Sequence, residues 1–398
     1  MAYTETTKQS YGNRVKNSFS GIGGGIILFI LGTVLLWWNE GRAVKTTKAL
    51  NEGQDVCIEM PDINTVNPEF EGKLVHTSGV AASTDSLRDD LFGISVNAIS
   101  LVREVEYYQW VENSSSETKE KIGGGTETVT TYTYEQKWVS DPVNSLNFKD
   151  PAYQGRNTVI TTVEDKEVIA KNVTYGAYRL PDFAITSLAY SEQVPVEPQF
   201  TDGLKAEWQN AIKDTAVVIA AKGNQVTFCA NPDVPTNGDV RITFKQVTSP
   251  KEISMIAKVI GDTFGTYTAK NGNSVWSLQR GTVSAESMFA SEHQSNKAIT
   301  WVLRILGAIL VIGGLRKLLE FASTLFAVLP FLRKILSAGI NFVCTVVGIV
   351  WSLLVIAIAW IAHRPVLGIS LLVVAAALIV LLIMRSNKKK TQQQSQQL

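Results

Sequence analysis

The hydrophobic residues of this chain are concentrated in four runs, one near the N-terminus and three near the C-terminus. The first run, residues 21–38, contains no ionisable side chain, and the others cover residues 298–315, 338–362 and 365–384. A helix of about 18 residues spans roughly 27 Å, close to the ~30 Å hydrocarbon core of a bilayer. The pattern therefore predicts four transmembrane helices, with one large polar region, residues 39–297, between the first and the second.

The first run is interpreted as a membrane anchor rather than a cleaved signal peptide. Basic residues precede it (Lys8, Arg14 and Lys16), as they would in a signal peptide. The run is nevertheless longer than a typical signal core, and Trp37 and Trp38 stand where a cleavage site needs small residues. Tryptophans are also enriched at membrane interfaces. We therefore expect residues 1–20 to form a short flexible arm on one face of the membrane and residues 39–297 to lie on the other.

The region between the first two runs has the pattern of a β-rich domain. Short segments rich in Val, Ile, Thr and aromatic residues are separated by turn pairs such as Asn237-Gly238 and Asn271-Gly272. Strands without intervening helices favour an antiparallel sandwich or a partly open barrel. Two helices are predicted at 202–213 and 284–293, and a polar hairpin loop at 113–125. The predicted strands cover residues 72–80, 94–108, 127–139, 159–169, 216–221, 226–230, 240–247, 252–260, 263–268 and 274–280.

Basic residues set the expected orientation. Residues 316–337 form a basic segment, too short and too broken by Pro330 to span a bilayer, that is predicted to be interfacial or re-entrant. The tail, residues 385–398, is basic and Gln-rich. The positive-inside rule places both segments and the arm in the cytoplasm, with the β-rich domain in a periplasm or a lumen. Several of these cations are candidate contacts to anionic lipid, at about 1 kcal/mol each. They are Arg316, Lys317, Arg333, Lys334, Lys388, Lys389 and Lys390.

A four-span topology brings a second group of polar residues to the outer ends of the helices. The group consists of Glu40, Arg42, Arg304, His363 and Arg364. Arg304 lies about two turns inside an apolar run, where an unpaired charge costs roughly 2.5–3.5 kcal/mol at the helix centre, and Glu40 is a candidate partner. Two interpretations stay open. The charges snorkel individually to the interface, or they line a polar pocket that binds a lipid headgroup or another anionic group.

No catalytic chemistry is indicated by the remaining residues. A net charge of +1 does not suggest a nucleic-acid binder, and neither a nucleotide loop nor a hydrolase elbow is present. We predict no metal and no cofactor, and interpret His76 as structural. Cys57 and Cys229 either pair or stay free. The histidines and cysteines are few and scattered: His76, His293 and His363, and Cys57, Cys229 and Cys344.

Three blocks of the sequence resemble the LUMA family, also called the transmembrane protein 43 family. They are NEGRAVKT at 39–46, EGKLVH at 71–76 and VEYYQWVE at 105–112, with further matches around 238–241, 300–304 and 364–365. The resemblance extends over nearly the whole chain. It implies a four-span α+β membrane protein with a large domain between the first two spans.

The resemblance also implies a location and partners. Animal members reside in the endoplasmic reticulum and inner nuclear membrane and are associated with lamins and emerin, whereas bacterial members have an obscure role. A bacterial member in the cytoplasmic membrane, with a periplasmic domain, is favoured here, so lamin- or emerin-type partners apply only to a eukaryotic host. The expected partners are the lipid bilayer and other membrane or envelope proteins, and self-association is left open.

Two functional hypotheses follow. The first is a non-enzymatic scaffold that organises membrane or envelope complexes through its β-rich domain. The second is a protein that binds a lipid or small ligand, with lipid-related chemistry left open, in the polar cavity at the outer helix ends.

Overall fold

The computed structural model describes residues 3–188, 192–325 and 330–363. Within them the chain is an α+β protein with three long apolar helices and a β-rich region. The helices are α1 (Tyr11–Val56), α2 (Asp182–Ser187), α3 (Asp202–Ile212), α4 (Ala285–Leu325) and α5 (Pro330–His363). The strands are β1 (Tyr3–Gln9), β2 (Ile58–Glu59), β3 (Leu74–Ser83), β4 (Ser86–Asp89), β5 (Ile94–Glu120), β6 (Thr126–Val139), β7 (Lys166–Ile169), β8 (Val173–Tyr175), β9 (Tyr178–Arg179), β10 (Glu192–Gln193), β11 (Val218–Lys222), β12 (Gln225–Cys229), β13 (Val240–Thr248), β14 (Lys251–Ile260), β15 (Thr263–Gly265), β16 (Tyr267–Thr268), β17 (Ser274–Val275) and β18 (Ser277–Arg280).

The first three apolar runs lie within α1, α4 and α5, each of which is long and apolar enough to cross a membrane. The fourth run, 365–384, and the tail, 385–398, lie outside the described residues. The first helix continues far past Trp38, to Val56. Helix α4 likewise runs unbroken through Arg316 and Lys317 to Leu325, so the first part of the 316–337 segment is helical. Its predicted interfacial position stays a prediction.

Helices α1 and α4 form a close antiparallel pair built on glycines. Gly25 faces Gly314, and Gly32 faces Gly307. A Cβ atom added at Gly32 would lie 2.8 Å from the Gly307 carbonyl oxygen, so the two backbones touch. Small residues at such positions let membrane helices approach closely. A Cβ atom added at Gly21 would meet no atom of the described residues within 4 Å, so this glycine takes no part in the contact.

The third apolar helix completes a small bundle with this pair. Leu36 of α1, Val311 of α4 and Val355 of α5 are buried against one another. The indole of Trp351 on α5 donates a hydrogen bond to the Thr33 hydroxyl of α1, at 3.0 Å. The three helices are therefore packed through side chains as well as through the glycine contact.

The β-rich region contains one open sheet, one small barrel and a two-stranded pair of β16 with β17. In the open sheet the strand order is β1-β6-β5-β13-β12-β11, with shorter strands on β5 and β13. In the barrel, β14, β15, β9, β8 and β3 form a closed circuit, because β14 also pairs with β3. The expected antiparallel pairing holds for most neighbours, but β2 with β3 and β15 with β9 are parallel. These parallel pairs involve strands of two or three residues, too short for the sequence pattern to show their direction.

Buried aromatic residues fill the region. Tyr175 is fully buried, and its hydroxyl lies 3.0 Å from the Thr77 carbonyl oxygen, so even this polar group is satisfied. Under the open sheet, Phe92 stacks on Trp208. Arg103 is buried beside this cluster with Asp89 as its ion-pair partner, at 2.6 Å. The charge is tolerated because a carboxylate and a backbone carbonyl accept its hydrogens.

His76 is a structural residue, as predicted. It is 4% exposed, and its Nδ1 lies 2.7 Å from the Glu59 carboxylate while its Nε2 lies 2.8 Å from the Val283 carbonyl oxygen. Glu59 belongs to β2, which follows α1 almost at once, and Val283 comes just before α4. The imidazole therefore joins the two chain segments through which the β-rich region connects to its flanking helices.

One polar segment is more regular than its composition suggested, and one predicted strand is shorter than expected. The predicted loop at 113–125 is mostly strand: β5 continues to Glu120, and the turn occupies only residues 121–125, where Gly123 and Gly124 have positive φ. Hydroxyl pairs across the hairpin, such as Thr118 with Thr128 at 2.9 Å, replace the apolar contacts that would have marked a strand. By contrast, the predicted strand at 159–169 is a strand only from Lys166.

The cysteines are free thiols in the described structure. Burial, with a smaller contribution from the Glu59 carboxylate, raises the pKa of Cys57 to about 11. Burial also raises the pKa of Cys229 to about 11. A thiol with such a pKa is almost entirely protonated at neutral pH and a poor nucleophile. Cys57 and Cys229 are therefore unpaired, which is one of the two alternatives that the sequence left open.

The expected flexible arm contains a strand, which bears on the topology. Residues Tyr3–Gln9 form β1 next to β6, and the Tyr132 hydroxyl donates to the Glu5 carboxylate at 3.1 Å. The charge pattern, however, predicts that the arm and the β-rich domain lie on opposite faces of a membrane. The β1–β6 pairing and this topology exclude each other. Strands from opposite faces could pair only within the bilayer, where exposed strands leave backbone groups unsatisfied in hydrocarbon.

The sidedness can be measured with single cysteines at Thr6→Cys and Ser115→Cys in a chain whose native cysteines are replaced by serine. With a membrane-impermeant maleimide on sealed vesicles, we expect the two positions to react from opposite faces. The physical reason is that the uncharged run 21–38 separates the two positions and is long enough to cross a bilayer once. Labelling of both from the same face would show that the β1–β6 pairing persists and that the cytoplasmic position of the arm is wrong.

Candidate functional site

A buried ion pair joins the three apolar helices at one end. The Glu40 carboxylate of α1 accepts from Nε of Arg304 at 2.6 Å and from its Nη2 at 2.8 Å, a two-point contact. The indole of Trp360 on α5 donates to the same carboxylate at 2.7 Å. Glu40 is only 2% exposed and Arg304 16%. This geometry neutralises both charges within a protein environment, as an ionised side chain near hydrocarbon requires.

Two tryptophans cover the guanidinium group. Its central carbon lies 5.0 Å from the Trp301 ring centroid and 5.7 Å from that of Trp360. Both distances fall within the range of cation–π attraction. Arg304 is therefore fixed by a carboxylate and two aromatic rings, which excludes individual snorkelling for this residue.

A second network surrounds Arg42, and its acceptors are neutral. The guanidinium donates to the side-chain oxygens of Asn296 at 3.1 Å, Thr300 at 3.0 Å and Asn39 at 3.3 Å. Its Nε is buried and has no hydrogen-bond partner among the described residues. The positive charge of Arg42 is solvated by dipoles, and none of these three partners is an acid.

The remaining residues of the Asn-Glu-Gly-Arg-Ala block also serve helix packing. Asn39 donates to the Thr300 carbonyl oxygen at 3.0 Å, and Asn296 donates to the Ala43 carbonyl oxygen at 3.1 Å. A Cβ atom on Gly41 would lie 2.9 Å from Nε2 of His363, so only glycine leaves room for this imidazole. Each residue from 39 to 43 thus contacts α4 or α5.

A pocket of about 290 Å³ opens beside the Glu40–Arg304 pair. Helix α4 contributes most of its lining, and α1 and α5 supply the rest. Its wall combines two indoles, one ion pair and several uncharged polar groups. The lining residues are Glu40, Ala43, Thr47, His293, Asn296, Lys297, Thr300, Trp301, Arg304 and Trp360.

Of the predicted outer cluster, the structure brings four residues to this end of the helices. Glu40 and Arg304 pair directly, Arg42 lies in the neighbouring network, and His363 packs on Gly41 and lies near the ring of Trp37. Arg364 lies outside the described residues. Of the candidate lipid-contact cations, Arg316 and Lys317 do not line this pocket. Arg316 donates to the Thr345 hydroxyl and Lys317 is exposed, Arg333 and Lys334 are on α5, and Lys388, Lys389 and Lys390 lie outside the described residues.

Sequence reasoning missed Asn39, Asn296, Thr300, Trp360 and Lys297 as parts of the site. A signal for some of them was present in the spacing. Residues 25, 32 and 39 of α1 recur every seven positions and face 314, 307 and 300 of α4, which recur in the same way. The contact line between α1 and α4, called the seam below, therefore consists of glycine pairs that are followed by an Asn–Thr pair. The repeat is recognised only when the sequences of both helices are compared.

Comparison with known proteins identifies the family. The profile described as Transmembrane protein 43 matches residues 107–365, well over half of the chain. Transmembrane protein 43 of Mus musculus is 31% identical over 372 residues, which cover 91% of this chain and 89% of the mouse protein. The chain belongs to the transmembrane protein 43 family. It is accordingly an integral membrane protein.

Other members are similar to a comparable degree. Transmembrane protein 43 of Homo sapiens is 29% identical over 361 residues, covering 88% of this chain and 86% of the human protein. The Drosophila melanogaster protein named Transmembrane protein 43 homolog is 28% identical over 355 residues, covering 88% and 90% of the two chains. No solved structure matches the chain significantly. The family profile includes Arg304 and His363, whereas the Glu40 block precedes its first matched residue.

The Glu40–Arg304 pair should be worth far more than a surface ion pair. We expect Glu40→Ala to lower the free energy of unfolding by about 3–5 kcal/mol, because it leaves a buried guanidinium without its carboxylate. The combined Glu40→Leu and Arg304→Met change, which removes both charges, should recover most of that loss. Unfolding in mixed micelles measures both effects. The control is Glu207→Ala on the exposed side of α3, where a change within about 0.5 kcal/mol is expected. Equal destabilisation by the single and the double change would contradict a buried ion pair.

Proposed function

We propose that this member of the transmembrane protein 43 family is a non-enzymatic membrane protein that organises membrane complexes through its β-rich domain. The observation that supports the proposal is the use of the polar block at 39–43. Every residue of this block is engaged in fastening α1 to α4 or α5. Polar groups committed to helix packing suit an anchor of fixed geometry better than a reactive centre.

The location and partners form part of the same proposal. The β-rich domain is placed on the extracytoplasmic face, in the periplasm of a bacterium or in the endoplasmic reticulum or nuclear-envelope lumen of a eukaryote. Its partners are other membrane or envelope proteins, with lamin- or emerin-type proteins only in the eukaryotic case. The alignments with the mouse and Drosophila proteins cover 91% and 88% of this chain, which supports the eukaryotic alternative.

Cross-linking of the full chain in its own membrane, followed by mass spectrometry, tests the scaffold proposal. We expect cross-links from lysines of the β-rich domain, such as Lys222, to a reproducible set of membrane proteins. The same set should be found for a Lys297→Gln variant, because that residue lies in the helix pocket. Cross-links confined to the chain itself, in membranes where a known complex cross-links normally, would contradict a scaffold.

A second candidate function is the retention of a lipid or small ligand at the helix ends. The pocket of about 290 Å³ favours it, since its wall joins aromatic and polar groups as ligand sites do. The Trp301 and Trp360 indoles suit a position at the membrane interface, where headgroups lie.

Native mass spectrometry with lipid analysis of the gently extracted protein tests this candidate. We expect a stoichiometric bound molecule in the wild type and its loss in Arg304→Ala, because the substitution removes one wall of the pocket. Arg88→Ala, an exposed arginine on β4, is the matched control and should retain the molecule. Circular dichroism checks that both variants keep their helices. A mass without ligand in all three proteins would exclude the pocket function.

A further inference from the structure

The charges around the pocket do not cancel. Among its lining residues Glu40 is the single acid in the described part of the chain, and both of its oxygens are occupied by Arg304 and Trp360. The ion pair therefore contributes no free charge of either sign to a ligand. The other permanently charged residue of the lining is Lys297, an exposed cation for which the described residues provide no ion-pair partner.

A second cation adds to the field from behind the wall. Arg42 donates to Asn296 and Thr300, two residues that line the pocket, and these acceptors are neutral. Its charge is consequently not cancelled within its own hydrogen-bond network. Glu40 also acts on Arg42, but it is one negative charge against the three positive charges of Arg304, Arg42 and Lys297. The group keeps an excess of positive charge, which favours an anion and disfavours a cation.

The position of the donors defines the kind of anion. Lys297 and His293 are one helical turn apart on α4 and both line the pocket. Lys297 immediately precedes the apolar run 298–315, and Glu40 follows soon after the run 21–38, so the cavity lies where hydrocarbon gives way to headgroups. Its volume of about 290 Å³ lies at the lower end of ligand pockets, roughly 300–1,000 Å³, and suits a headgroup rather than acyl chains.

We propose that this pocket is a phosphate-binding site for an anionic headgroup, with Lys297 and His293 as its direct contacts. The inference rests on the ligand-binding function proposed above and assigns its ligand class. The lysine ammonium pairs with the phosphate oxygens, the His293 ring donates a further hydrogen bond, and the Trp301 indole covers the headgroup at the interface. Arg304 shapes the wall and keeps Glu40 occupied.

The test uses the purified full chain in nanodiscs of phosphatidylcholine with a minor fraction of phosphatidylglycerol. Lipids that stay bound after release from the nanodisc are counted by native mass spectrometry for wild type, Lys297→Gln, Arg304→Ala and Lys222→Gln. Lys222→Gln removes the same charge from an exposed position on β11. A parallel series in neutral detergent adds inorganic phosphate and follows thermal unfolding, which separates a lipid headgroup from the free ion.

We expect the wild type and Lys222→Gln to retain phosphatidylglycerol over phosphatidylcholine by about tenfold or more, the size of one charge-assisted hydrogen bond. Lys297→Gln should lose most of this preference. Stabilisation by inorganic phosphate that depends on Lys297, without any lipid preference, would also support a phosphate site and identify the free ion as its source.

Other outcomes overturn the proposal in distinguishable ways. Equal retention of both lipids, unaffected by Lys297→Gln but lost in Arg304→Ala, would make the anion assignment wrong and leave ligand binding intact. If Lys222→Gln lost the lipid preference equally, the preference would come from the overall charge of the protein and not from this pocket, and the proposal would be wrong. No retained lipid and no phosphate effect in any variant would overturn both the phosphate site and the ligand-binding function.

Discussion

A charge at the edge of hydrocarbon must be paired, and this constraint shapes the helical part of the protein. Arg304 lies within an apolar run, and its pairing requires a carboxylate from another helix at a fixed distance and angle. Glu40 meets that requirement with a two-point contact, while Trp360 supplies a third donor. One interaction thereby links α1, α4 and α5. Loss of either charge leaves the other buried, so the arrangement of the three helices depends on it.

The glycine contacts and the polar contacts are two parts of one seam. Along α1, the seven-residue repeat places Gly25 and Gly32 in the apolar part and Asn39 at the end. Close backbone approach in the apolar part brings the ends near enough for Asn39 and Arg42 to reach Thr300 and Asn296. Van der Waals packing provides proximity, and hydrogen bonds provide register. The NEGR block therefore has a packing role that explains each of its residues.

The β-rich region follows a different principle, since its strands are specified by pairing as much as by burial. Strand β5 begins as a buried strand with alternating burial and continues, after Asn113, as an exposed polar strand held by β6. Composition predicts the first part and fails for the second, because Ser, Thr, Glu and Lys are as frequent in loops as in exposed hairpins. The barrel likewise depends on short strands such as β8 and β9, whose sequence carries little signal. In the same way, no local feature separates the strand at Lys166 from the irregular chain before it.

The sequence by itself determined the features that depend on composition and length. The apolar runs, the β-rich character of the region between them, the structural role of His76 and the family of the chain were all available from residues in order. The ion pair was available as a candidate, because a charge inside an apolar run demands a partner. Tertiary structure alone decided the features that need two helices or two strands at once. These include the neutral network around Arg42, the use of Gly41 to seat His363, and the pocket with its excess of positive charge. Their physical reason is that hydrogen bonds, close backbone contacts and electric fields depend on distances between residues about 260 positions apart in the chain, such as Asn39 and Thr300.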